Sequence, residues 1–150
     1  MLDEINIVWF KRDLRIADHV PIYKASKEGI PFIPLYVVDQ NYWSQNFSSI
    51  RHWNFVYDCL EELNIELSNI GQPLIIKKGS ATNIFKDIQS NFKINKVYAH
   101  EETSNDWVRK ENLSVKNWFE KNQIEFIEYP TNGVVRGLKS RDEWIKIKNQ

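Results

Sequence analysis

Short apolar runs alternate with amphipathic stretches along these 150 residues. Ile5 to Phe10 is the first run and predicts a strand. Asp18 to Lys27 predicts a helix, with Asp18 as N-cap and Pro21 in the first turn, where a missing N–H costs little. Gly29 stops it. Phe32 to Val38 reads as the second strand, followed by a polar loop from Asp39 to Ser48. Ile50, Trp53, Val56, Tyr57, Leu60, Leu63 and Leu67 then recur at helical spacing, which predicts one apolar helix face. Ser48 or Ser49 caps this helix, and Gly71-Gln72-Pro73 ends it. Leu74 to Lys78 is the third strand. Ser80 or Thr82 caps a helix that turns Ile84, Phe85, Ile88 and Phe92 inward. Lys96 to Ala99 is the fourth strand. The next helix runs from Ser104 to Lys121, with Trp107, Leu113, Val115 and Trp118 among its apolar residues. Glu125 to Tyr129 is the fifth strand.

Strands joined by helices imply right-handed parallel crossovers. The expected fold is α/β: a Rossmann-like, doubly wound, five-stranded parallel sheet of order 3-2-1-4-5 with helices on both faces. Residues 1–130 form this domain. Residues 131–150 bring no sixth strand and read as a connector, with Val134, Val135, Leu138, Trp144 and Ile145 as candidate docking residues. Ligands of open α/β sheets bind outside the carboxyl ends of the strands, where the strand order reverses. That crevice is flanked by Lys11 to Asp18 and by His100 to Trp107. The loop after the second strand and Arg51 lie on the same edge. The candidate site is therefore Phe10, Lys11, Arg12 and Asp13, with Val38, Asp39 and Arg51, and with Glu101, Glu102 and Trp107. Such a lining suits a flat heteroaromatic ligand: Phe10, Trp43 or Trp107 stack on the ring, and polar groups hold its rim.

Charge narrows the reading. Lysine plus arginine total 20, as do aspartate plus glutamate, so the formal net charge is zero. A surface built to grip a nucleic-acid backbone is usually basic, so this domain is not expected to be one. The single cysteine, Cys59, excludes an internal disulfide and a cysteine zinc cluster, and its neighbours suggest a small buried apolar residue. Met1-Leu2-Asp3-Glu4 is no signal peptide, and no run is long and apolar enough to span a membrane. A cytoplasmic protein is expected. The turn after the first strand holds no glycine, which excludes the dinucleotide fingerprint and the P-loop. No serine sits in a G-x-S-x-G context. Adjacent His100, Glu101 and Glu102 diverge instead of converging on one ion, so no metal is expected. His19 and His52 read as surface or packing residues.

The segment Trp9-Phe10-Lys11-Arg12-Asp13-Leu14-Arg15-Ile16-Ala17-Asp18 resembles the opening of the DNA photolyase/cryptochrome family. The likeness continues through Tyr36-Val37-Val38-Asp39, Ser49-Ile50-Arg51-His52-Trp53-Asn54-Phe55-Val56 and His100-Glu101-Glu102-Thr103-Ser104-Asn105-Asp106-Trp107. It reaches Asn132-Gly133-Val134-Val135-Arg136-Gly137-Leu138-Lys139-Ser140-Arg141-Asp142. The chain departs from the family pattern at Ser104, where glycine is usual, and at Glu111-Asn112, where an Arg-Asp pair is usual. The resemblance implies the amino-terminal light-harvesting (antenna) domain, whose chromophore is a folate, a deazaflavin or a flavin. It implies a separate helical domain that binds FAD, meets the DNA and splits pyrimidine dimers in blue light, as a deoxyribodipyrimidine photo-lyase does. That domain is absent from these residues. The chain is thus expected to hold a chromophore without repairing DNA alone, and to have a separately encoded helical domain as possible partner. The alternative is a stand-alone nucleotide-binding or protein-docking α/β module, with the nucleotide form disfavoured by the missing glycine loop.

Overall fold

The computed structural model describes residues 1–131 together with Arg136, Ser140, Glu143 and Ile147. Val134, Val135, Leu138, Trp144 and Ile145 lie outside the described residues. β1 (Glu4–Phe10) pairs in parallel with β2 (Phe32–Val38) on one side and β4 (Lys93–His100) on the other. β3 (Ile75–Lys78) adds to β2, and β5 (Glu125–Tyr129) adds to β4, giving the expected order β3-β2-β1-β4-β5. The helices are α1 (Val20–Lys27), α2 (Gln40–Trp43), α3 (Ile50–Asn69), α4 (Ala81–Asn91) and α5 (Asp106–Lys121).

Alternation along β1 divides the interior into two cores, because successive strand side chains point to opposite faces. Ile5, Ile7 and Trp9 join Val97, Ala99 and residues of α4 and α5, chiefly Phe85, Ile88, Val115 and Phe119. Val8 and Phe10 join Tyr36 and Tyr98 under Ala25 of α1 and Leu60, Leu63 and Leu67 of α3. Asn6 is also buried in β1, beside a register shift against β4. Its Oδ1 accepts from Lys96 N and Asn95 Nδ2, each at 3.1 Å.

Helix ends follow local chemistry. Ser49 and Ser80 cap α3 and α4 by accepting from His52 N and Asn83 N. α3 closes with Gly71 at φ +83°, while Gly71 N and Gln72 N donate to Ser68 O and Leu67 O. Glycine suits that left-handed position because it has no Cβ.

Several expectations are corrected. α1 starts at Val20 with His19 as its cap, because Asp18 adopts φ +50° and stands outside the helix. Asp39 to Ser48 is not all loop: Asp39 Oδ1 caps the short α2 by accepting from Asn41 N. On α3, Ile50 is 80% and Tyr57 49% exposed. Both lie about a third of a turn off the stripe centred on Val56 and Leu63. Leu113 of α5 is likewise exposed, and the next turns bury Val115 and Phe119 instead. β4 begins three residues before Lys96, extending the pairing with β1.

Candidate functional site

Beyond the carboxyl ends of β1, β2 and β4 lies a cleft of about 540 Å³. That is within the usual range for small-molecule sites. Its floor is made by strand residues Trp9, Phe10 and Tyr36. One wall carries Tyr42 and Trp43 of α2 and the stripe His52, Phe55, Val56 and Cys59 from the first turns of α3. The opposite wall carries Trp107, Glu111 and Asn112 of α5. Lys11, Arg12 and Arg15 come from the first loop, Asp39 from the second and Glu102 and Ser104 from the fourth. Tyr42 stands 5.9 Å from Trp107 between ring centroids and 5.2 Å from Phe47, a cluster bridging the two walls.

The first loop is pinned from beneath by Asp13. Its Oδ1 accepts from Lys11 N at 2.9 Å. Its Oδ2 accepts from His19 Nε2 at 2.5 Å and from His100 Nδ1 at 2.7 Å. His19 Nδ1 already accepts from Ile22 N, so the Nε2 atom carries the proton it gives to Asp13. This cluster joins the end of β1, the start of α1 and the end of β4. Burial alone would raise the Asp13 pKa, but the hydrogen bonds from His100 and His19 prevail and hold it well below the usual carboxylate range. One carboxylate and two imidazoles are also a possible metal-ligand set. Their separations are those of direct hydrogen bonds, whereas ligands gathered around zinc at roughly 2.0–2.2 Å stand farther apart.

Lys11, two residues earlier, turns the other way. Its Nζ donates to Asn112 Oδ1 at 2.6 Å and lies 4.2 Å from the centroid of the Trp9 ring. Desolvation pushes its ammonium down to about 8, although Glu102, Glu128 and Asp13 oppose the shift. A polar chain continues behind the cleft wall. Asn112 Nδ2 donates to Glu128 Oε2 at 3.4 Å, and Arg136 Nη2 donates to the same oxygen at 2.5 Å. Arg136 also reaches Glu101, with Nε to Oε2 at 3.5 Å.

Six of the ten residues expected from sequence line this cleft: Phe10, Lys11, Arg12, Asp39, Glu102 and Trp107. Asp13 lies under the loop. Val38 borders a separate, smaller hollow with Trp43, Ser49 and Lys78. Arg51 is exposed beyond the cleft lining, and Glu101 pairs with Arg136. Cys59, expected as a buried core residue, is only half-buried and sits on the cleft wall. Of the four α3 positions on this wall, Val56 belongs to the expected apolar face and Cys59 to the expected core, whereas His52 reads from sequence as a surface or packing residue. Asn112 was missed as a lining residue, although it precedes two buried apolar residues on the same helix face. Ser104 replaces the family's usual glycine without strain, since it has no positive φ; its N–H donates to Glu102 Oε1 at 3.2 Å.

Comparison with known proteins supplies the lineage. The family model described as DNA photolyase matches residues 6–139. A chloroplastic/mitochondrial cryptochrome DASH of Oryza sativa subsp. japonica is 27% identical over 150 residues, covering 95% of this chain and 25% of that protein. A cryptochrome of Synechocystis superposes with TM-score 0.79 at 22% identity, over 86% of this chain and 28% of that one. An archaeal photolyase from Sulfolobus tokodaii, solved with two FAD molecules and discussed as implying a novel light-harvesting cofactor, superposes with TM-score 0.78 at 23% identity. It covers 95% of this chain and 34% of that one. The chain spans about a fifth to a quarter of the length of curated relatives that it matches. Over that span it belongs to the DNA photolyase/cryptochrome family and corresponds to the amino-terminal α/β domain.

Proposed function

We propose that the cleft binds a flat heteroaromatic chromophore, a flavin, deazaflavin or folate, and that this domain serves the family's light-driven chemistry as its light-harvesting module. The carrying observation is the cleft itself, which combines aromatic walls with charged groups at the topological switch point. The donor set fits such a group. Trp107, Tyr42 and Trp43 offer faces to a ring, Lys11 and Arg12 offer donors, and Asp39 and Glu102 offer acceptors. A bound chromophore of this kind supplies absorption in the near ultraviolet and blue. The second FAD of the archaeal photolyase, discussed there in terms of light harvesting, supports placing a flavin among the candidates.

No bond-making step is assigned to the cleft residues. Their work is to hold the ring, exclude water from its faces and fix its orientation. Splitting of pyrimidine dimers and contact with DNA are assigned to a helical FAD-binding domain, which acts as partner to this one. Zero formal net charge supports that division. A cytoplasmic location is proposed with it. Among the described residues, no helix is long and apolar enough to cross a membrane.

The test is retention. The chain is incubated separately with FAD, FMN, a deazaflavin and methenyltetrahydrofolate, then passed through gel filtration. Co-elution of one chromophore's absorption band is expected, and Trp107→Ala is expected to lose it while keeping the native far-ultraviolet circular dichroism. Failure of all four to co-elute overturns the proposal and leaves the family assignment intact.

A further inference from the structure

The two outer layers of the molecule treat charge differently. α1 and α3 lie over one face of the sheet and share a core, while α4 and α5 cover the other. On the α4–α5 side the signs are mixed: Arg109 pairs with Asp106 on α5, and Asp87 of α4 pairs with Lys77 of β3. On the α1–α3 side they are separated. The charged residues of α1 are Lys24 and Lys27, both exposed. The acid that follows, Glu28, is held by Lys96 at 2.9 Å. From Asp58 onward, α3 carries the exposed acids Asp58, Glu61, Glu62 and Glu66 and no base. Neither of these lysines and none of these acids belongs to an ion pair among the described residues. Helical spacing gathers Val20, Tyr23, Lys24 and Lys27 on the outer stripe of α1, opposite buried Ala25. It likewise sets Asp58, Glu62 and Ile65 opposite the buried Leu60, Leu63 and Leu67 of α3. Apolar surface is thus left bare among the charges: Tyr23 is 59% and Ile65 62% exposed.

We infer that this α1–α3 face is the interface of a homodimer, with a second copy of the chain as its occupant. A basic helix beside an acidic helix is a self-complementary patch, which a two-fold interface requires. Both helices return the chain from the carboxyl to the amino ends of parallel strands, so they run in the same direction. A two-fold axis lying between them and parallel to them sets α1 of each copy over α3 of the other. Such an axis preserves height along the sheet. α1 and α3 both end shortly before the strands that follow them, so the short α1 meets the second half of α3, where the acids are. The lysines of each copy then face the turns of Glu62 and Glu66 in the other, and Tyr23 meets Ile65. An axis crossing the helices would set α1 on α1 and lysine on lysine, which like-charge repulsion disfavours. Nothing in this contact depends on what the cleft binds.

Sedimentation equilibrium tests this with the native chain and two charge-reversed variants. One variant carries Lys24→Glu and Lys27→Glu, the other Glu62→Lys and Glu66→Lys. These positions are exposed, and far-ultraviolet circular dichroism checks that each variant keeps the native fold. The native chain is expected to dimerise as its concentration rises through the micromolar range, and to dissociate as salt screens the contacts. Each variant alone sets like charges against each other twice, and is expected to self-associate at least about a hundredfold more weakly. An equimolar mixture of the two makes both contacts complementary again and is expected to recover the dimer. A native chain that stays monomeric overturns the inference and leaves the face to a different partner. A dimer that persists in either variant lies on another face and overturns it too, as does a mixture that remains monomeric. If a variant loses the native fold, the native chain decides: a dimer unaffected by salt overturns the interface.

Discussion

Asp13 and Lys11 stand two residues apart in one loop and have opposite fates. Asp13 accepts three hydrogen bonds from three parts of the chain, is 6% exposed and contributes nothing to the cleft lining. Lys11 has one side-chain acceptor, lies against an aromatic ring and lines the cleft. The motif therefore divides into a scaffold half and a half that lines the cleft, which the proposed function makes the binding half. A saturated polar cluster is closed to new partners, because its donors and acceptors are already matched. An under-partnered charge in a cleft is where a ligand gains most. Inspection of the sequence puts both residues in one binding loop, and only their partners separate them.

Removing the scaffold half has the largest effect. Asp13→Ala leaves two buried imidazoles and the Lys11 N–H without their acceptor, and is expected to lower stability by roughly 3–5 kcal/mol, the scale for breaking a buried charged network. Urea unfolding at neutral pH measures it; a loss within experimental scatter would dissolve the contrast. The same carboxyl has a folded pKa below its unfolded value, so its stabilisation is present above about 3.9 and is lost as pH falls below that.

The binding half shows the opposite sign at the opposite end of the scale. The folded Lys11 pKa is about 8 against an ordinary 10.5. Between these values the folded chain holds fewer protons than the unfolded chain, so stability rises with pH. A rise of roughly 1–3 kcal/mol is expected across that window in the chromophore-free protein, from the size of such a shift. Lys11→Met should abolish it. Matching urea midpoints for native and variant proteins at every pH would contradict a desolvated Lys11.

Arg136→Ala is the finest probe. The Arg136 guanidinium depresses the Lys11 pKa through space while binding Glu128 and Glu101. Its removal should move the alkaline rise to higher pH and change neutral stability by less than about 1 kcal/mol, as for other partly exposed pairs. An unmoved rise would disconnect the polar chain behind Asn112 from the cleft.

Periodicity carried the bounds of β5, and residue type the caps Ser49 and Ser80, because these depend on neighbours in sequence; the sheet order came with the expected doubly wound α/β fold. The cleft loops followed from topology once the order was known. What escaped depends on long-range contact. Asp18 is the better N-cap by residue type, but His19 takes the place because Asp13 holds its ring. Val56 and Cys59 of α3 are indistinguishable from core by sequence until the opposing wall of the cleft is known. Asn112 gains meaning only through Lys11 and Glu128, which come from the loop after β1 and from β5. Val134, Val135, Leu138, Trp144 and Ile145 remain a sequence reading.

The most direct measurement is a fluorescence titration of FMN with the purified chain and with Trp107→Ala. Saturable quenching of the flavin by the native chain, with at least about tenfold weaker binding to the variant, is the predicted result. No saturable quenching, or equal affinity for both proteins, would contradict a flavin held between the walls of this cleft.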